Sequence, residues 1–131
     1  MVAGLGTITP ASGFVGPSGA LIIGLLAGVI CYLILSLIKE KLNIDDTLDV
    51  FSIHGVGGIL GTLMVSIFAS DKLGVFSGQG YDNGMSMGSQ FIVQFIGVVA
   101  TVSYTIILTF IILKLIDRTI GLKIKEQGLR Q

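Results

Sequence analysis

Residues 50–70 read Val50-Phe51-Ser52-Ile53-His54-Gly55-Val56-Gly57-Gly58-Ile59-Leu60-Gly61-Thr62-Leu63-Met64-Val65-Ser66-Ile67-Phe68-Ala69-Ser70, without one Asp, Glu, Lys or Arg. About 20 uncharged residues suffice to cross a bilayer as a helix. The chain's single histidine, His54, falls inside this stretch. An ionisable side chain at membrane depth faces a cavity, a pore or a buried partner. From position alone, His54 therefore either lines a path or ties one helix to another by a hydrogen bond.

Two further stretches, Met1–Ile38 and Asn83–Leu113, also lack charge, so the 16 charged residues (8 basic plus 8 acidic) crowd into loops and the tail. With 52% apolar and 12% charged residues and 19 glycines, the 131-residue chain departs from soluble domains, which average about 25% charged. Its mean hydropathy is +0.92. The reading is an all-α membrane protein with three transmembrane helices, at residues 18–38, 50–70 and 87–113. There is no room for a separate soluble domain. Apolar runs of this length are too continuous for membrane strands, which need about ten alternating residues.

Lys and Arg orient the spans. The loop 39–49 carries Lys39 and Lys41, and the stretch from Lys114 onward carries Lys114, Arg118, Lys123, Lys125 and Arg130. Met1–Pro17 and Asp71–Ser86 carry only Lys72. Seven against one predicts a cytoplasmic 39–49 loop and a cytoplasmic C-terminus, in a multi-pass protein of the cell membrane. Asp45, Asp46 and Asp49 precede the second span, where they suit a helix N-terminus. Asp71 and Asp82 read as solvated residues of the outer loop. Residues 1–17, rich in Gly, Thr, Ser and Pro, are expected to be the end of a preceding helix and an outer loop. The four-residue spacings Gly24 to Gly28 and Gly57 to Gly61 suit close helix packing.

Other chemistry finds little support. No metal-spaced His/Cys set, nucleophile elbow or phosphate-binding glycine loop is present, so neither an enzyme nor a metal or cofactor site is expected. The lone Cys31 reads as a small buried hydrophobe. The tail's few basic residues enforce topology rather than forming a nucleic-acid face.

Two blocks resemble the ammonium transporter family, of the Amt and methylammonium permease type. The first is Ala3-Gly4-Leu5-Gly6-Thr7-Ile8-Thr9-Pro10-Ala11-Ser12-Gly13-Phe14-Val15-Gly16-Pro17 with Ala20-Leu21-Ile22-Ile23-Gly24; the second is Asp45-Asp46-Thr47-Leu48 continuing through Asp49 and His54 to Gly61. The resemblance implies the last part of an eleven-helix bundle that assembles as a homotrimer. It implies ammonium or ammonia as substrate, and a role in nitrogen uptake. By the same resemblance His54 is the second of two pore histidines, its partner lying in N-terminal helices that this chain lacks. Those helices, or full-length homologues, and membrane lipid are then its partners.

The chemistry of the substrate explains such a pore. A bare cation in an apolar tube costs several kcal/mol or more, and neutral NH3 far less. A neutral imidazole offers one donor and one acceptor with which to relay the proton. Potassium, with no proton to give up, is rejected. Val50, one turn before His54, is the next residue placed along the path. A different reading is a non-transporting membrane fragment that associates with full-length ammonium transporters and modulates them. The tail resembles the family's at Gly121-Leu122-Lys123-Ile124, a region implying contact with PII-type signal proteins. The acidic run that usually follows is here cut to Lys125-Glu126-Gln127.

Overall fold

In the computed structural model, which describes residues 2–41, 49–82 and 84–121, every regular element among the described residues is helical. A short helix, α1 (Val2–Ile8), passes into a 3-10 turn, Thr9–Ala11, that contains Pro10. The chain extends at Ser12 and re-enters a helix at Pro17, whose fixed φ suits the first turn. Helix α2 (Pro17–Ser36) then widens into a π-helical turn, Leu37–Lys41. A second π turn, Phe51–Val56, leads into α3 (Gly57–Phe68), and α4 occupies Met87–Thr119. Three helical stretches, Pro17–Glu40, Phe51–Phe68 and Met87–Thr119, are long and apolar enough to cross a membrane.

Helix α4 begins where Ser86 and Ser89 cap each other. The Ser86 amide donates to the Ser89 hydroxyl at 2.8 Å and the Ser89 amide to the Ser86 hydroxyl at 3.3 Å. This reciprocal pairing satisfies two of the amides a helix start leaves free. At the other end the helix runs six residues past Leu113, since Lys114, Asp117 and Arg118 contain no helix breaker. The stop is Gly121, whose positive φ of 83° turns the chain while its amide donates to the Ile116 carbonyl at 3.2 Å.

The chain divides into two compact units, Met1–Ile96 and Gly97–Gln131. Within the first, α1, α2 and α3 pack on one another. The centre of that contact is where α3 crosses α1: a Cβ on Gly61 would stand 1.9 Å from the Thr7 carbonyl oxygen. Only glycine permits that approach. One turn earlier, a Cβ on Gly57 would stand 2.8 Å from the Thr7 hydroxyl and 3.6 Å from the Cys31 sulfur of α2, so three helices meet at this point. Thr7 is fully buried, and its hydroxyl donates to the Ala3 carbonyl at 2.8 Å, which satisfies that donor within its own helix. Nearer the 70–82 loop, Ala11, Ile23, Val65 and Ala69 form an apolar cluster, with Phe68 and Tyr81 packed against it. Of the other expected pair, Gly28 is exposed with nothing near its missing Cβ.

The 70–82 loop is fastened to the end of this bundle. The Gly78 amide donates to the Ser70 carbonyl at 2.8 Å, and that of Gln79 to the Phe14 carbonyl at 2.9 Å. Hydroxyls add two bonds, Tyr81 to the Ser66 carbonyl and Ser18 to the Val75 carbonyl. Burial pushes the Tyr81 phenol above its ordinary value, its hydrogen bond with Ser70 lowers it, and the charge of Asp71 raises it again.

Replacing Gly61 by Ala is expected to lower stability by about 3 kcal/mol or more, because backbone rather than a movable side chain blocks the new methyl. Gly28→Ala should stay within about 0.5 kcal/mol, read by thermal melts of the detergent-solubilised chain. Tyr81 tests the loop. Its raised pKa means that its contribution is fully present below the ordinary phenol value and lost as pH rises through the folded one. Tyr81→Phe should cost about 1 kcal/mol at neutral pH and flatten the alkaline fall in melting temperature.

Candidate functional site

The π turn Phe51–Val56 decides which way each side chain of this segment faces. In an uninterrupted α-helix, the inward row Gly57, Gly61 and Val65 would continue four residues back to Ile53. A π turn holds one residue more. The buried position before Gly57 is accordingly Ser52, five residues back, which is fully buried, whereas Ile53 is half-buried. A small side chain thus enters the contact with α1 and α2, and a bulky one stays at its edge.

The same turn leaves His54 exposed, on a helix whose other flank is packed. Val50 and Phe51 are exposed as well, at 51% and 60%. Among the described residues the His54 side chain meets no hydrogen-bond partner, so it does not act as a tie between helices within this chain. Its carbonyl accepts from the Gly57 amide at the end of the π turn. Glycine at position 55 keeps the neighbouring surface low, since a Cβ there would stand 3.5 Å from the Phe51 ring. The result is an imidazole and two apolar side chains presented on an exposed helix face.

Ser52, two residues away, contrasts with the helical hydroxyls around it. Those of Thr7, Thr9 and Thr62 each donate to the carbonyl four residues back at 2.8 Å. Among the described residues the Ser52 hydroxyl has no partner, although it is buried.

Asp49 stands just before this segment and does not cap it with its side chain. Its backbone has a positive φ of 55°, which Asp tolerates better than most residues, and its carbonyl accepts from the Ile53 amide at 2.9 Å. Its carboxylate instead pairs with the Lys39 ammonium at 2.6 Å, joining the two π turns across the 42–48 connection. Asp45 and Asp46, also expected as caps, lie outside the described residues, as does the tail from residue 122. The pair is partly exposed, so its worth is about 1 kcal/mol or less.

Other polar groups gather away from His54. A cavity of about 420 Å³ is lined by Asp71, Lys72, Tyr81 and Asp82 together with neighbouring loop residues, and His54 is not among them. Among the described residues, no three His, Cys, Asp or Glu side chains are grouped as a metal would need. Cys31 is a buried free thiol at the three-helix junction.

The sequence profile of the Ammonium Transporter Family matches residues 1–130. An ammonium transporter of Aquifex aeolicus is 42% identical over 127 residues, covering 97% of this chain and 29% of that protein. One of Archaeoglobus fulgidus is 40% identical over 126 residues, covering 96% and 31% respectively. A putative ammonium transporter of Methanothermobacter thermautotrophicus is 44% identical over 128 residues, with coverage of 96% and 31%. The chain therefore spans about 30% of the length of these curated relatives.

The unpartnered Ser52 hydroxyl yields a test of the packing around the site. Ser52→Ala should be neutral or raise the stability of this chain by up to about 1 kcal/mol, because it removes a buried donor that gains nothing in return. A fall of more than about 1 kcal/mol in a chemical-denaturation series would overturn that assignment.

Proposed function

The chain belongs to the ammonium transporter family, and from that premise we propose that it forms the C-terminal part of an ammonium-conducting pore. His54 is the pore histidine it contributes. Val50 lies next along the path. The observation that carries this reading is an imidazole without a hydrogen-bond partner among the described residues, on the exposed face of an uncharged, span-length helix. A side chain of that kind at membrane depth calls for a polar companion beyond its own helix. A second histidine, supplied by N-terminal helices from another chain or from preceding sequence, meets that need and completes a relay. Neutral NH3 then crosses the apolar constriction while imidazole nitrogens accept and return the proton.

The distribution of Lys and Arg supports an orientation with loop 39–49 and the C-terminus in the cytoplasm of a cell-membrane protein. Assembly as a homotrimer, and contact of the tail with PII-type signal proteins, follow from family resemblance. On this reading the cavity at Asp71 and Asp82 faces the outside, away from the histidine.

Methylammonium uptake in transporter-deficient cells tests the proposal, with this chain expressed alone and together with the missing N-terminal helices. Uptake is expected only with the complement, and His54→Ala should reduce it at least tenfold while membrane levels hold. A stably inserted pair that transports nothing, or a His54→Ala variant with full uptake, would overturn it. If the inserted chain instead lowered uptake by a co-expressed full-length relative, the modulatory reading would replace the pore.

A further inference from the structure

The ion pair between Lys39 and Asp49 stands beside the residues assigned to the path. Asp49 directly precedes Val50, and neighbouring Cα atoms are about 3.8 Å apart, so its carboxylate lies within one side-chain length of that residue. The backbone fixes its place. A left-handed φ of 55° turns the chain at Asp49 into the following helix, and the Asp49 carbonyl accepts from the Ile53 amide at 2.9 Å. The Lys39 ammonium, 2.6 Å from the carboxylate, reaches it from the π turn Leu37–Lys41 that follows α2.

The pair is chemically close to the transported species. A lysine side chain ends in an alkylated ammonium group with three N–H donors, the same class of cation as ammonium and methylammonium. A carboxylate that accepts this group accepts a free ammonium ion by the same charge-assisted bond. The position is also open to a dissolved cation, because the Lys39 and Asp49 side chains are 45% and 28% exposed.

On the pore reading, ammonia that has passed His54 recovers its proton from an imidazole nitrogen and leaves as ammonium on the side of loop 39–49. An Asp49 without its lysine would stand at that exit as a trap. Lys39 competes for the carboxylate from a fixed tether, at an effective concentration on the order of millimolar or above, and so keeps its place against a dilute free ion.

We propose that Lys39 is a release residue: by occupying the Asp49 carboxylate, it keeps the inner mouth of the path from retaining ammonium. The proposal rests on the pore reading and gives Lys39 a role in it that neither His54 nor Val50 performs. A tie that only held two helix ends together would be lost equally by removing either partner. In the release role, the harm of losing Lys39 comes from the charge left behind on Asp49.

Initial rates of methylammonium uptake test this, in transporter-deficient cells that express the chain with the missing N-terminal helices. Slow release after passage lowers the maximal rate and KM by the same factor and leaves their ratio unchanged. Lys39→Gln, and Lys39→Met as a second neutral replacement, should each lower both about threefold, within the range of a partly exposed pair. Lys39→Arg should keep both. The double variant Lys39→Gln/Asp49→Asn should recover the maximal rate to within about 1.5-fold, because the free carboxylate is gone and Asn tolerates the left-handed backbone as Asp does.

A maximal rate that falls at unchanged KM, or a double variant no faster than Lys39→Gln, would overturn the release role and leave the pair a structural tie. Absence of both neutral variants from the membrane would do the same. Unaltered kinetics in both would overturn it as well. Failure of the pore reading looks different: the unsubstituted chain with its complement then transports nothing, or transports regardless of His54, and the release role falls with it.

Discussion

The approach of Gly61 to the Thr7 carbonyl fixes the rest of the first unit. With a Cβ position only 1.9 Å from that oxygen, α3 lies against the backbone of α1 and not merely against its side chains. Once the two axes are this close, Gly57 comes over the Thr7 hydroxyl and beside Cys31, which draws α2 into the same contact. Such packing needs small residues with their polar atoms already satisfied. Thr7 meets both conditions by donating to Ala3 within its own helix. In an apolar solvent, where burying more hydrocarbon gains little, contacts of this kind hold helices together.

The π turn at Phe51–Val56 sets which side chains enter that packing and which stay outside it. It adds a residue between Ser52 and Gly57, so the inward row is occupied by a small, fully buried side chain. His54 is left on the outer flank by the same geometry. Extra residues of this type are common where a helix serves a function, because they turn side chains without breaking the helix. The Lys39–Asp49 pair joins this turn to the π turn ending α2, giving both wide turns a common anchor.

Much of the architecture was legible in the sequence, because charge in a membrane protein is confined to the ends of its elements. Each uncharged stretch forms most of a helix long enough to cross, and the Gly57 to Gly61 spacing marks a true close contact. Other features depend on geometry that no short pattern encodes. Leu113 looked like the end of the last helix because Lys114 follows it, yet charge ends a span without ending a helix; Gly121 supplies the backbone turn. Asp49 carried the composition of a cap, but its left-handed backbone and the proximity of Lys39 give its carboxylate a different partner. Period-four reasoning also would have turned Ile53 inward in place of Ser52, since a π turn has no simple sequence signature. The Gly24 to Gly28 spacing repeats the Gly57 to Gly61 pattern, yet neither glycine has a neighbour within 4 Å of its missing Cβ, so spacing alone does not identify a contact.

The distribution of polarity argues most directly for what His54 lacks. The buried positions of this chain include Thr7, Ser52, Ser66 and Ser70, while Leu21, Leu25, Phe51, Ile106 and Phe110 are exposed. That arrangement would be unfavourable in water and is natural in lipid, where large apolar side chains meet the solvent. His54 breaks the pattern by standing among the exposed apolar residues. Hydrocarbon against its ring would leave a donor and an acceptor unsatisfied, at a cost of about 1–3 kcal/mol for each group. Under the pore proposal, a polar companion from other helices meets the imidazole on that face.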